Sequence, residues 1–195
     1  EHTAFAGTLS LKAETVMRLW TDIAESVSAS GVNKLVLFNT HGGNVGLMDV
    51  VARELRTRLG MLVYSVSWFN LPLKSPDGED LMTRFSADEQ RFGVHGGQIE
   101  TAMMLALKPR LVRQSKARDF ASSSQQRARD FALLGNGKSA KLAWAAQDLN
   151  PDGAAGNASA ANVDDGLALV DAAGRALAAL LVEIDRLPAD TLRGR

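Results

Sequence analysis

The sequence predicts an α/β fold, a three-layer α/β/α sandwich with a mostly parallel sheet, in a single domain over residues 1–195. Three observations carry this. Between residues 34 and 68 a short apolar run, an amphipathic stretch and a second apolar run follow each other with short connections, the pattern of a right-handed βαβ unit. Helical periodicity flanks that unit on both sides. The composition, 46% hydrophobic and 23% charged, is that of an ordinary globular chain.

The elements follow in order. From Ser10 to Ser30, Val16, Leu19, Trp20, Ile23 and Val27 recur at helical spacing among charged residues. Ser10 is the expected cap and Gly31 the expected left-handed stop. Lys34-Leu35-Val36-Leu37-Phe38-Asn39 has the length of a buried parallel strand. After His41-Gly42-Gly43-Asn44 a second helix begins near Gly46, with Leu47, Val50, Val51 and Leu55 apolar, and ends at Gly60. Met61–Trp68 is the second strand. Asn70–Gly93 reads as a loop, with a helical turn near Ser86–Arg91. Gln98–Leu107 is helical, with Ile99, Met103, Met104 and Leu107 as its apolar face, and Pro109 stops it. Residues 113–140 are polar and expected to be exposed. Asn150-Pro151-Asp152-Gly153 is a turn. A last helix runs to Arg186 from a cap at Asn162 or Asp164, burying Leu167, Val170, Ala173, Leu177, Leu180, Leu181 and Ile184.

Composition excludes several function classes. Lys plus Arg and Asp plus Glu both number 22, so the chain lacks the basic excess of a general nucleic-acid binder or a polybasic membrane anchor. No apolar run approaches the roughly 18 residues that span a bilayer, and no signal-peptide pattern is present, so a cytoplasmic location is expected. Cys is absent, which removes disulfides, thiolate metal sites and cysteine nucleophiles together. The phosphate-binding patterns GxGxxG and GxxxxGK[ST] and the GxSxG elbow are absent too.

The chemistry that remains is His with carboxylate. His41-Gly42-Gly43-Asn44 directly follows a strand, where open parallel sheets bind ligands. Its glycines let the backbone approach a ligand, and a His there can present one ring nitrogen to a metal. Residue chemistry alone leaves His41 open between a ligand and a capping side chain in a tight turn. His95 precedes the Gln98–Leu107 helix, and Glu100 lies on the side of its expected apolar face. A carboxylate turned into a packed layer needs a metal or a cationic partner. His plus carboxylate without Cys is the ligand set of hydrolytic Zn, Mn or Fe sites, though His41, His95 and Glu100 do not complete one.

Taken together, four stretches resemble the creatininase (creatinine amidohydrolase) family. They are His2-Thr3-Ala4-Phe5-Ala6-Gly7-Thr8-Leu9-Ser10-Leu11, the Asn39–Asn44 block, His95-Gly96-Gly97-Gln98-Ile99-Glu100-Thr101 with its continuation to Val112, and the Pro151–Ala158 loop. The likeness spans nearly the whole chain and lies on the family's His-Gly-Gly-Asn branch. It implies a creatininase-like α/β sandwich, usually a homohexamer, that hydrolyses a small-molecule amide C–N bond with two divalent metal ions (Zn, Mn or Fe). It further implies His41 as a metal ligand, Glu100 as a ligand of the second metal, and His95 as the catalytic residue that handles oxyanion or proton. Gly42, Gly43, Asn44 and Gln98 are the expected substrate-binding positions. Gly43 stands where creatininase itself has a Glu ligand, Gln98 replaces a Glu and Gly96 an Ala. The family's Glu-x-His…Asp ligands precede the His2 region, so the chain is expected to lack an N-terminal portion of its domain. A non-catalytic oligomeric scaffold and a small-molecule-binding α/β module of the same fold are the alternatives.

Overall fold

A computed structural model describes residues 1–193. Its elements are α1 (Ala13–Ala29), β1 (Lys34–Asn39), α2 (Val45–Leu59), β2 (Leu62–Ser67), α3 (Ala87–Phe92), α4 (Gln98–Leu107), β3 (Asp119–Phe120), α5 (Ser123–Asp130), α6 (Ala146–Leu149), β4 (Gly156–Asn157) and α7 (Val163–Arg186). They divide between two compact units. One comprises Glu1–Leu9 and Leu73–Ala172, the other Ser10–Pro72 and the chain from Ala173 onward. No helix among the described residues is long and apolar enough to cross a membrane.

The unit containing Ser10–Pro72 holds the predicted βαβ. β1 and β2 pair in parallel, from Lys34 opposite Leu62 to Asn39 opposite Ser67. Leu35, Leu37 and Val63 alternate onto one face of this pair, where Ala24 of α1 and Val51 and Leu55 of α2 are buried with Met17, Trp20 and Leu59 around them. Lys34 points to the opposite face, and its Nζ donates to the carbonyls of Ile184, Asp185 and Leu187 at 3.0, 2.6 and 2.8 Å. These are end carbonyls of α7, where a cation complements the helix dipole.

Three sequence expectations need correction here. Ser10 does not cap α1: the N-cap is Lys12, and the Ser10 hydroxyl donates to the adjacent Leu11 carbonyl. The core stripe of α1 is Met17, Trp20 and Ala24, while Leu19 and Ile23 are exposed. In α2 the buried stripe is Met48, Val51 and Leu55, with Val50 outside it. A stripe at i, i+3 and i+7 fits one face of a helix, and both helices had more apolar residues than that face could take. The stops behave as expected. Gly31 and Gly60 both take positive φ, at 91° and 68°.

In the other unit the expected loop, from Leu73 onward, is more ordered than a loop. A turn at Leu81–Arg84 is capped by Asp80, and α3 is capped by Ser86, whose hydroxyl accepts the Glu89 N–H at 3.1 Å. Within 113–140, α5 is short and mostly polar, and β3 pairs antiparallel with β4. The apolar face expected for α4 is not the buried one. Ala102 and Leu105 are buried, while Met104 and Leu107 are exposed. The reason lies in α7, where Gly166 runs so close to α4 that an added methyl would strike the carbonyl of Ala102. Small residues let the two backbones approach, and the larger Met and Leu are left outside the contact. In α7, Leu169 and Ala172 are buried and Leu167 is exposed, so the buried stripe is not the one expected there. Asn162 caps α7 as expected, accepting the Asp165 N–H at 2.9 Å.

Candidate functional site

The predicted site residues fall in both units, and each group is described within its own unit. His41, Gly42, Gly43 and Asn44 follow β1. Gly42–Asn44 form one short turn, in which the Asn44 N–H bonds back to the His41 carbonyl at 3.1 Å. The turn is organised by Asn39, which is 2% exposed. Its side-chain oxygen accepts the His41 N–H at 3.0 Å and lies 3.5 Å from Asn44 Nδ2. Its own amide donates to Ser67 Oγ at 3.1 Å, at the matching end of β2. This is an Asx turn fastened across two strands, and it delivers His41, Gly42 and Gly43 to the surface beyond the carboxyl ends of the parallel pair. The same unit carries an apolar pocket of about 290 Å³ along β1, reached by Trp20, Ile23, Phe38, Asn39 and Asn44.

His95, Gln98 and Glu100 lie at the start of α4 in the other unit. The loop is shaped by Gly96, at φ 61°, whose N–H donates to Glu100 Oε2 at 2.7 Å. The Gly96 carbonyl accepts the Thr101 hydroxyl at 3.2 Å. This arrangement brings His95 Nδ1 to 3.8 Å from Glu100 Oε2. His95 is held on its other side by a two-way backbone bridge to Ala155, N–H to carbonyl at 3.3 and 2.7 Å. Both side chains keep solvent access, 37% for His95 and 44% for Glu100. Glu100 is therefore not a carboxylate driven into a packed layer, as the assumed apolar face of α4 suggested. It stands at the edge, oriented by a backbone N–H and open to a ligand.

Three neighbours of this pair were not among the site residues predicted from sequence. The His2 ring stacks on His95, with centroids 4.1 Å apart and planes 26° from parallel. Glu1 Oε1 lies 3.7 Å from His2 Nε2. Only the return of residues 1–9 into the unit of residues 73–172 brings them there, and no local spacing signals it. The third is Glu89, 4% exposed, whose carboxylate accepts backbone N–H groups from Gln98 and Asn157.

Within this unit Glu1 with His2 and His95 with Glu100 stand as two imidazole–carboxylate pairs joined by the ring stack. Imidazole nitrogen and carboxylate oxygen are donor types that borderline divalent cations such as Zn²⁺ or Mn²⁺ accept. The bond from Gly96 N–H to Glu100 is the kind of outer contact that orients a ligating carboxylate.

Comparison with known proteins gives consistent likenesses. Residues 1–181 match the family described as Creatininase, creatinine amidohydrolase. The mycofactocin precursor peptide peptidase of Mycobacterium tuberculosis is 30% identical over 118 residues, 60% of this chain and 39% of that protein. A Bacteroides fragilis protein assigned as a creatinine amidohydrolase superposes with a TM-score of 0.70 at 24% identity, over 94% of this chain and 66% of its own. A manganese form of creatininase gives 0.64 at 23% identity, over 92% and 67%. The chain therefore spans about two fifths of the length of the curated relative, and the likeness to the solved structures establishes the creatininase fold.

Proposed function

This chain belongs to the creatininase family, and we propose that it acts in a metal-dependent amidohydrolase that cleaves an amide C–N bond. The observation that carries the reading is His95 beside Glu100, 3.8 Å apart and half open to solvent, in a family member whose structural neighbours include a manganese creatininase.

Divalent ions, when bound, supply an acidified water and polarise the amide carbonyl. Glu100 is the carboxylate ligand in this reading, and His41, presented by the Asn39 turn, is the ligand on its own loop. His95 carries the proton. Imidazole is a side chain suited to carrying a proton in general acid–base chemistry, and protonating the leaving nitrogen turns a poor leaving group into an amine. Gly42, Gly43, Asn44 and Gln98 are proposed to border the substrate. The peptidase named among the relatives favours a peptide-type amide as the first substrate to try. Gly43, standing where the family resemblance places a Glu ligand in creatininase itself, argues against creatinine. A homohexamer in the cytoplasm is the proposed setting.

The test is metal analysis and amide hydrolysis on the purified full-length protein. The expected result is bound divalent metal, turnover of a peptide amide, loss of both after chelation, and recovery with Mn²⁺ or Zn²⁺. A metal-free, inert protein in the presence of both ions overturns the reading in favour of a scaffold. Ligand binding indifferent to chelators would instead identify a small-molecule-binding module.

A further inference from the structure

We infer that Glu89 is the positioning residue of the His95–Glu100 segment, an inference that rests on the amidohydrolase reading above. Glu89 lies on α3, outside every motif that carries the family likeness, and it is 4% exposed. Its Oε1 accepts the N–H of Gln98 at 2.6 Å and lies 3.4 Å from that of Ile99. Its Oε2 accepts the N–H of Asn157 at 2.8 Å. The first two are opening amides of α4, whose N-cap is Gly97 and has no side chain to offer. Glu89 therefore caps α4 from another helix, placing its negative charge at the positive end of the α4 dipole.

The third bond makes this more than a cap. Asn157 follows the Ala155 that bridges His95, so Glu89 ties together the two backbone segments that flank the bridge. The chain is pared down to admit the carboxylate. A methyl group at Gly93 or Gly97 would collide with Oε1, and one at Gly156 would come within 2.9 Å of Oε2. The Gly97 and Gly156 backbones also pass so closely that a methyl on Gly156 would sit 2.7 Å from Cα of Gly97. Three glycines on two separated segments thus share one function, to close the backbone around Glu89. A buried carboxylate is tolerated only where it is well hydrogen-bonded, and here each bond also fixes a main-chain position next to His95 or Glu100.

The test is a Co²⁺ titration of the full-length protein, read by the visible absorption bands of the bound ion, whose positions and intensities report its ligand geometry. Wild-type protein should give a saturable Co²⁺ spectrum. Glu89→Gln replaces one accepting oxygen with an NH₂ group that cannot receive an N–H. It should weaken Co²⁺ about tenfold or more, as loss of an outer-sphere contact does, and shift the bands while the far-ultraviolet circular dichroism stays folded. Gly97→Ala tests the same clamp from the other side, because its methyl displaces Oε1 while leaving the carboxylate in the protein. Wild-type affinity and bands in either folded variant overturn the inference alone. If wild-type protein shows no Co²⁺ spectrum, the amidohydrolase reading fails and the inference falls with it. Should neither variant fold, amide hydrogen exchange in wild-type protein decides. Gln98 and Asn157 amides exchanging at least a hundredfold slower than in an unstructured peptide support the clamp, and exchange at the unstructured rate overturns it.

Discussion

Asn39 and His41 are joined side chain to main chain, the Asn39 amide oxygen accepting the His41 N–H at 3.0 Å while the Asn39 amide donates across to Ser67. The bond places a buried side chain in charge of an exposed one. Asn39→Ala should leave the His41 N–H and the Ser67 hydroxyl short of a partner, and cost about 1–3 kcal/mol of stability. Urea denaturation measures this. A midpoint shift worth less than about 0.5 kcal/mol, the scatter of ordinary surface substitutions, would show that the turn holds without Asn39.

His95 and Glu100 should separate in their effects. His95→Ala removes the proposed proton carrier, and amide turnover should fall by about a hundredfold or more with metal content retained. Glu100→Gln should lower metal content itself. Elemental analysis alongside steady-state rates checks both, and equal metal loss in the two variants would assign His95 to the ligands instead.

Gly166→Ala is expected to be among the most damaging single-methyl additions. Its new carbon would meet the Ala102 carbonyl of α4, which is backbone and cannot rotate away. Overpacking of this kind costs about 1–3 kcal/mol. Gly174, further along α7 with open space around it, is the control, and Gly174→Ala should be neutral or stabilising by helix propensity. Thermal unfolding of the two variants side by side decides the matter.

Lys34→Met keeps the length of the side chain and removes its three bonds to the carbonyls of Ile184, Asp185 and Leu187. Hydrogen bonds from a charged donor are worth about 1.5–3 kcal/mol, so a destabilisation of at least about 1 kcal/mol is expected in chemical denaturation. The loss should depend little on salt, because the acceptors are dipoles held at short range. A strongly salt-dependent effect would point to a carboxylate partner.

Much of this was legible in the sequence. The βαβ unit, the glycine stops at 31 and 60 and the Asn162 cap were readable because each depends on residues a few positions apart. The buried faces of α4 and α7 were not. The hydrophobic period of α4 put Met104 and Leu107 inward, but the close passage of Gly166 past Ala102 selects small residues for the contact. At the candidate site, His95 and Glu100 stand in one motif of the sequence, whereas the His2 stack arises from a chain return of more than ninety residues. Glu89 carried a misleading local signal. Ser86-x-x-Glu89 has the form of a capping box, in which the acid reaches back to its own helix. Ser86 does its half by accepting the Glu89 N–H, but the carboxylate turns to α4 and β4.

The partners of the Glu89 carboxylate at Gln98 and Asn157 are main-chain amides, which every residue but proline possesses. The frame around His95 is consequently indifferent to which side chains stand at those positions. A substitution at position 98 by any residue other than proline therefore keeps the amide that Glu89 holds, and the loop beside it can stay in place while the side chain changes.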